Sequence, residues 1–243
     1  MTRGQSTYNK LYWVRDNIIA NDFPDISAIL SEPDGLLAIG GDLSSERLLD
    51  AYQRGIFPWY SEGQPILWWS PDPRWVLQPE KLKISRSLKK TMRKRPFRVT
   101  FDRAFDEVIK CCAEPRKDSI ETWITREIIE SYYELHRQGY AHSVECWQDD
   151  NLAGGLYGIA LGRVFFGESM FSYKTDASKI ALVHLCRILR KRQFVMIDCQ
   201  VHSEHVERLG AEPLAQSRFA DILRQDCYID TGEAWPAESD FYE

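Results

Sequence analysis

Residues 163–201, RVFFGESMFSYKTDASKIALVHLCRILRKRQFVMIDCQV, decide the fold. Val164 to Met170 is an apolar, strand-like run interrupted by one acid, Glu168. A helix follows: Ala177, Ile180, Ala181, His184, Leu185, Ile188 and Leu189 recur at helical spacing, and Thr175 or Asp176 is placed to cap the first orphan amides. Arg187, Arg190, Lys191 and Arg192 suit the negative end of its dipole. A second apolar run, Phe194 to Ile197, then ends in Asp198-Cys199-Gln200. Strand, helix, strand is the usual route to a buried strand, and ligands gather where such strands end. Glu168, Asp198 and Gln200 are therefore the first candidate site residues.

Working outward, the pattern on either side alternates strands and helices. Upstream, Asp102 is placed to cap a helix reaching Cys112, and Thr125 one reaching Gln138, which Gly139 ends. Ala141 to Trp147 and Leu152 to Ala160 read as a hairpin around Gln148-Asp149-Asp150-Asn151. Downstream, Ser203 opens a short helix closed by Gly210, and a last strand precedes a helix from Ser217. Nearer the start, the turn Pro33-Asp34-Gly35, the run Leu36 to Ile39 and a helix capped by Ser44 and ended by Gly55 form a small compact unit. The last stretch, TGEAWPAESDFYE (231–243), reads as a frayed acidic tail, and Tyr8 to Asn21 carries no motif.

Two segments fall outside that pattern. Phe57, Trp59, Tyr60, Trp68, Trp69 and Trp75 are crowded among Pro58, Pro65, Pro71 and Pro73. Core packing is one reading of these rings. A preorganised stacking surface for a base, with Trp59 the first candidate, is the other, since a stacked base gains about 1–3 kcal/mol. Residues 81–98, KLKISRSLKKTMRKRPFR, hold nine cations and no acid. A solvated face is the plain reading; beside an aromatic loop the run also suits a polyanion such as RNA, with Lys83, Arg86, Lys89, Lys90, Arg93 and Lys94 as phosphate contacts.

Composition bounds the rest. A chain of 243 residues, 44% hydrophobic, can bury a full core, and its net charge of −5 disfavours nonspecific nucleic-acid binding everywhere except at that basic run. The six cysteines show no CxxC spacing and read as reduced core thiols. With a polar start and no long apolar stretch, a cytoplasmic location off the membrane is expected.

The element order over residues 97–216 resembles the Gcn5-related N-acyltransferase fold. That resemblance implies an α+β protein: a small N-terminal domain with the aromatic loop (1–74) and an acyltransferase-like domain (75–243) whose mixed, mostly antiparallel sheet is flanked by helices. One feature departs from it. That family cradles a coenzyme A pyrophosphate on a glycine-rich loop before the long helix, whereas Ser172-Tyr173-Lys174-Thr175-Asp176 has no glycine and ends in an acid.

Longer motifs point to a nearer family. Gly-Leu-Leu-Ala-Ile-Gly-Gly-Asp-Leu-Ser (35–44), Gly-Ile-Phe-Pro-Trp-Tyr (55–60), Leu-Trp-Trp-Ser-Pro-Asp-Pro-Arg (67–74), Thr-Trp-Ile-Thr (122–125), Gly-Glu-Ser-Met-Phe-Ser (167–172), Ala-Ser-Lys (177–179) and Ile-Asp-Cys-Gln-Val (197–201) together resemble the bacterial leucyl/phenylalanyl-tRNA-protein transferases. The resemblance implies transfer of Leu or Phe, with Met as a further candidate, from an aminoacyl-tRNA to the N-terminal α-amine of proteins beginning with Arg or Lys, creating a degradation signal. It implies no cofactor and no metal, and a monomer is expected. By the same resemblance Trp59 and Trp123 contact the terminal adenosine, Glu168 binds an amino group, and Asp198 with Gln200 orients or helps deprotonate the attacking amine. Leu156, Phe165, Met170, Leu182, Leu185 and Ile197, from the resemblance and their inward phase, line a pocket for the donor side chain. Two other classes are compatible with parts of the chain: an acetyl-coenzyme A N-acetyltransferase, which the missing glycine loop disfavours, and a noncatalytic RNA-binding protein, which leaves Glu168, Asp198 and Gln200 without a task.

Overall fold

The computed structural model describes residues 11–16, 22–26, 29–30, 33–115, 122–229 and 235–237. Most of the loop expected at 114–119 and parts of both ends lie outside them. The strands are β1 (Tyr12–Val14), β2 (Leu36–Gly40), β3 (Phe57–Pro58), β4 (Leu67–Trp69), β5 (Arg74–Leu77), β6 (Arg98–Phe101), β7 (Ala141–Gln148), β8 (Asn151–Leu161), β9 (Val164–Ser172), β10 (Met196–Gln200) and β11 (Glu212–Leu214). The helices are α1 (Ser45–Gln53), α2 (Arg86–Arg93), α3 (Phe105–Ala113), α4 (Arg126–Arg137), α5 (Ala177–Lys191), α6 (Glu204–Arg208) and α7 (Gln216–Asp226). Strands β1-β2-β4-β3 make a small sheet, and β11-β5-β10-β9-β8-β7-β6 a seven-stranded one. In the large sheet every pairing is antiparallel except β9 with β10, which α5 connects. This is an α+β protein with a small N-terminal domain and a larger C-terminal domain, and from α3 onward its helices and strands follow the expected order.

Period-two alternation explains how the large sheet is covered. On β8, Leu156 joins one buried cluster while Tyr157 and Ile159 join the other; on β9, Phe165 is separated in the same way from Val164 and Phe166. One face meets α5 and α2 through Leu182, Leu185 and Leu88, and the opposite face meets α3, α4 and the N-terminal unit through Val108, Tyr132 and Tyr52. Glycine permits two close approaches on β8. A Cβ on Gly154 would lie 2.7 Å from Ala177 Cβ at the start of α5, and one on Gly158 would lie 2.5 Å from the Phe165 ring.

Several local expectations are corrected. The strand read as Phe194 to Ile197 is shifted, so that Asp198 and Gln200 lie within β10. Asp102 does not cap α3, whose N-cap is Ala104; it accepts instead from the backbone N–H of Ser143 (2.9 Å) and bonds His142 (2.7 Å), a pairing across β7 that local sequence cannot show. Asp176 holds the N-cap position of α5 but makes no side-chain cap bond: it takes a left-handed conformation (φ 66°) and its carboxylate accepts from Thr91 and Lys179, while Ser172 Oγ accepts from Ser178 N at 3.3 Å. Ser44 holds the N-cap position of α1 without a side-chain cap bond, and the last helix begins at Gln216 after Ala215. Thr125 and Ser203 cap α4 and α6 as read. The tail is not frayed at Trp235, which stacks on His142 with centroids 4.2 Å apart.

The aromatic segment is also more ordered than its lack of period implied, for it supplies β3, β4 and the start of β5. Trp68 is fully buried, edge-on to Phe23 (4.8 Å), with its indole N–H donating to Gly40 O at 2.8 Å. Among the described residues, no helix is long and apolar enough to cross a membrane.

Candidate active site

Two β-bulges open the site. β8 pairs Tyr157 with Ser169 but Gly158 with Gly167, so Glu168 is an extra residue on β9. β5 pairs Val76 with Asp198 but Trp75 with Gln200, so Cys199 is extra on β10. A bulge kinks its strand and re-aims side chains. The parallel β9–β10 ladder stops at Phe166–Asp198, where a cavity of about 490 Å³ begins.

Every residue expected at the catalytic centre, the adenosine site and the side-chain pocket lines this one cavity: Glu168, Asp198 and Gln200; Trp59 and Trp123; Leu156, Phe165, Met170, Leu182, Leu185 and Ile197. The two strand faces explain the convergence. Leu156, Phe165 and Ile197 belong to the buried cluster beside α5, which contributes Leu182 and Leu185, whereas Trp123 and Phe57 come with the opposite cluster. The cavity has an apolar lobe and a polar edge. Among the described residues no group of three His, Cys, Asp or Glu side chains is placed to hold a metal.

At the polar edge each group fixes the next. Arg74 grips Asp198 with two prongs, Nε to Oδ1 (2.8 Å) and Nη2 to Oδ2 (2.6 Å), and both are buried (1% and 0% exposed). Nη1 of Arg74 also donates to Gly55 O, and its guanidinium lies between the Phe57 and Phe219 rings at 4.7 and 4.8 Å. Asp198 Oδ1 in turn accepts from the backbone N–H of Gln200 at 2.8 Å, which steadies a residue held at φ 63°. Gln200 Nε2 donates to Glu168 Oε1 at 2.9 Å, leaving the amide oxygen to accept from a ligand. The carboxylate oxygens of Asp198 thus accept from Arg74 and from the backbone of Gln200.

Glu168 also accepts from Tyr52 (2.7 Å) and Tyr132 (3.2 Å), whose hydroxyls are in mutual contact. Burial pushes its carboxyl up to about 7, against the opposing effect of the two tyrosine hydrogen bonds. A carboxyl raised in this way binds more protons folded than unfolded, so the stability of its protonated form is lost as pH rises from about 4.5 through about 7. The upper bound on that loss is on the order of 3 kcal/mol. Glu168→Gln removes the titration, so its melting temperature should gain on the wild type as pH rises from 5 to 8. A difference independent of pH would show that Glu168 titrates normally.

Sequence reasoning missed Arg74, Tyr52 and Tyr132. Arg74 closes a recognised motif, but nothing local pairs it with Asp198, and Tyr52 reads as an ordinary inward residue of α1. The tryptophans divide by surroundings: Trp59 is 43% exposed at the cavity, Trp69 donates to its carbonyl at 2.7 Å, and Trp75 lies against His202.

The basic run does not line the cavity. Lys83, Arg86, Lys89, Lys90, Arg93 and Lys94 are exposed on and beside α2, and none of the six forms an ion pair among the described residues, although Lys81 pairs with Glu212. The run starts at the cavity rim, where Lys83 N donates to the carbonyl of the cavity-lining Leu209.

Comparisons with known proteins agree on one family. The family profile described as leucyl/phenylalanyl-tRNA protein transferase matches residues 76–224, and that of its N-terminal domain matches residues 41–72. Relatives carrying the same name include those of Aromatoleum aromaticum (60% identical over 82% of this chain and 84% of the relative), Syntrophobacter fumaroxidans (57%, over 86% and 91%) and Pseudomonas syringae pv. syringae (52%, over 93% and 98%).

Proposed function

We propose, from the premise that this chain belongs to the leucyl/phenylalanyl-tRNA protein transferase family, that it moves Leu or Phe, with Met as a further candidate, from the 3′ end of an aminoacyl-tRNA to the N-terminal α-amine of proteins beginning with Arg or Lys. It is an aminoacyltransferase. The product carries a new peptide bond and an N-terminal residue that marks it for degradation, and the enzyme works as a cytoplasmic monomer. The carrying observation is that the two tryptophans, the three polar groups and the six apolar side chains share one cavity.

An aminoacyl ester is already activated, so the protein has mainly to position a neutral amine against the ester carbonyl. Trp59 and Trp123 take the terminal adenosine, and the apolar lobe takes the Leu or Phe side chain. Gln200, held from behind by Asp198 and from the side by Glu168, accepts a hydrogen bond from the attacking amine through its amide oxygen. As the new C–N bond forms and the ester C–O bond breaks, the amine proton leaves with the ribose hydroxyl. Glu168, its carboxyl near 7, can carry that proton between them. Coenzyme A is a poor fit: Asp176, paired with Lys179, occupies the helix start that a pyrophosphate would need.

The basic face of α2 fits the acceptor end of a tRNA, giving affinity and register without reading bases. The test is transfer of radiolabelled Leu or Phe to an Arg-starting peptide, from charged tRNA and from the minimal aminoacyl-adenosine. Both donors should react, and only the tRNA donor should show a KM that climbs steeply with salt; neutralising Lys89, Lys90, Arg93 and Lys94 together should flatten that climb. Absence of transfer from either donor would overturn the assignment, and an unaltered salt slope would return α2 to a solvated face.

A further inference from the structure

Phe165, a wall of the cavity, is supported from behind by a residue outside the segment that the family profile matches. The Trp235 indole lies 6.1 Å from the Phe165 ring, centroid to centroid. It sits in a built socket. His142 stacks on it at 4.2 Å and 20°, the Arg192 guanidinium covers it at 5.0 Å, and Phe101 and Phe194 stand at its sides at 6.2 and 6.4 Å. Asp102 fixes the His142 ring through Nδ1 at 2.7 Å, and Phe101 N donates to Ala237 O at 3.1 Å, tying the backbone of this segment to β6. On its own sheet, Phe165 lies so close to Gly158 that no Cβ would fit between them. Its ring is thus bounded by bare backbone there and by Trp235 in the socket.

We propose that Trp235 is a positioning residue for the donor side-chain pocket: by holding Phe165 forward it sets the pocket's depth, and with it the preference between the branched aliphatic and the aromatic donor. The inference rests on reading the cavity as that pocket. Protein interiors are close-packed and only partly collapse into a void, so deleting the indole gives Phe165 room to retreat and deepens the pocket by part of a ring's volume. Pockets discriminate a methylene or two by roughly 10–200-fold, so even partial deepening should be read in the ratio of two donors.

The experiment compares kcat/KM for Leu-adenosine and Phe-adenosine in the full chain. Trp235→Ala should shift the ratio roughly 10-fold toward Phe, through the donor KM and with the acceptor-peptide KM unchanged, and Trp235→Phe should restore most of it. A lower melting temperature with both donors depressed by one common factor would mean that Trp235 is structural only and would overturn the proposal. Should the alanine variant unfold, Trp235→Phe and Trp235→Leu carry the same comparison, and wild-type ratios in both would overturn it. Met170→Trp, which fills the cavity directly, separates the two readings. If it leaves transfer of both donors intact, the cavity is not the donor pocket and both readings fail; if it blocks transfer while the Trp235 variants keep the wild-type ratio, only the role of Trp235 fails.

Discussion

Replacing Arg74 by Met should cost about 3–5 kcal/mol of stability and nearly abolish transfer, because it strands the Asp198 carboxylate in a site where no water reaches it. Both losses come from one geometry, and a second substitution separates them. In the Arg74→Met background, Asp198→Asn removes the uncompensated charge, so part of the stability should return. Transfer should not, since without the guanidinium fork the side chain at 198 that accepts from Gln200 N–H is no longer held in place. Arg74→Lys should restore little of either, because an ammonium cannot reproduce the two-pronged fork or lie flat between Phe57 and Phe219. Thermal unfolding with single-turnover transfer completes the cycle. If the two single-variant losses simply add in the double variant, the residues are not coupled and the proposed role of Arg74 is wrong.

Trp59→Ala should weaken binding of a minimal aminoacyl-adenosine by about 1–3 kcal/mol, a loss of up to two orders of magnitude in affinity, while hardly changing the melting temperature. The contrast comes from burial. Trp59 is 43% exposed at the cavity, so little packing is lost, whereas Trp68→Ala empties a fully buried site and should cost about 3–5 kcal/mol of stability. Trp59→Phe keeps a ring face and should recover part of the binding. Normal donor affinity in Trp59→Ala would take this ring out of the adenosine site and leave Trp123 to hold the base alone.

Much of the architecture was legible because it is written locally. The strand, helix, strand order of 163–201, the β7–β8 hairpin and the caps at Thr125 and Ser203 depend on spacings of a few residues, which periodicity and capping chemistry read directly. Expectations failed where a polar side chain had a distant partner. Asp102 and Asp176 look like helix caps in the sequence, but His142, Ser143 and Thr91 claim them. Trp235 looked part of a loose acidic tail because its socket is assembled from β6, β7, β9 and the end of α5.

The sequence by itself determined the α+β class, the family and the residue types that line the cavity, since motif order and apolar phase survive without coordinates. Only the tertiary structure decided what those residues can do. It joined Arg74 to Asp198 across 124 positions of chain and Tyr52 to Glu168 across 116. Through two extra residues in neighbouring strands, it also opened the sheet where the apolar lobe meets the polar edge. The physical reason is that desolvation and hydrogen-bond saturation belong to a place in space and not to a position in the chain. Whether a carboxylate is a proton carrier or a fixed anchor depends on which donors the fold brings to it.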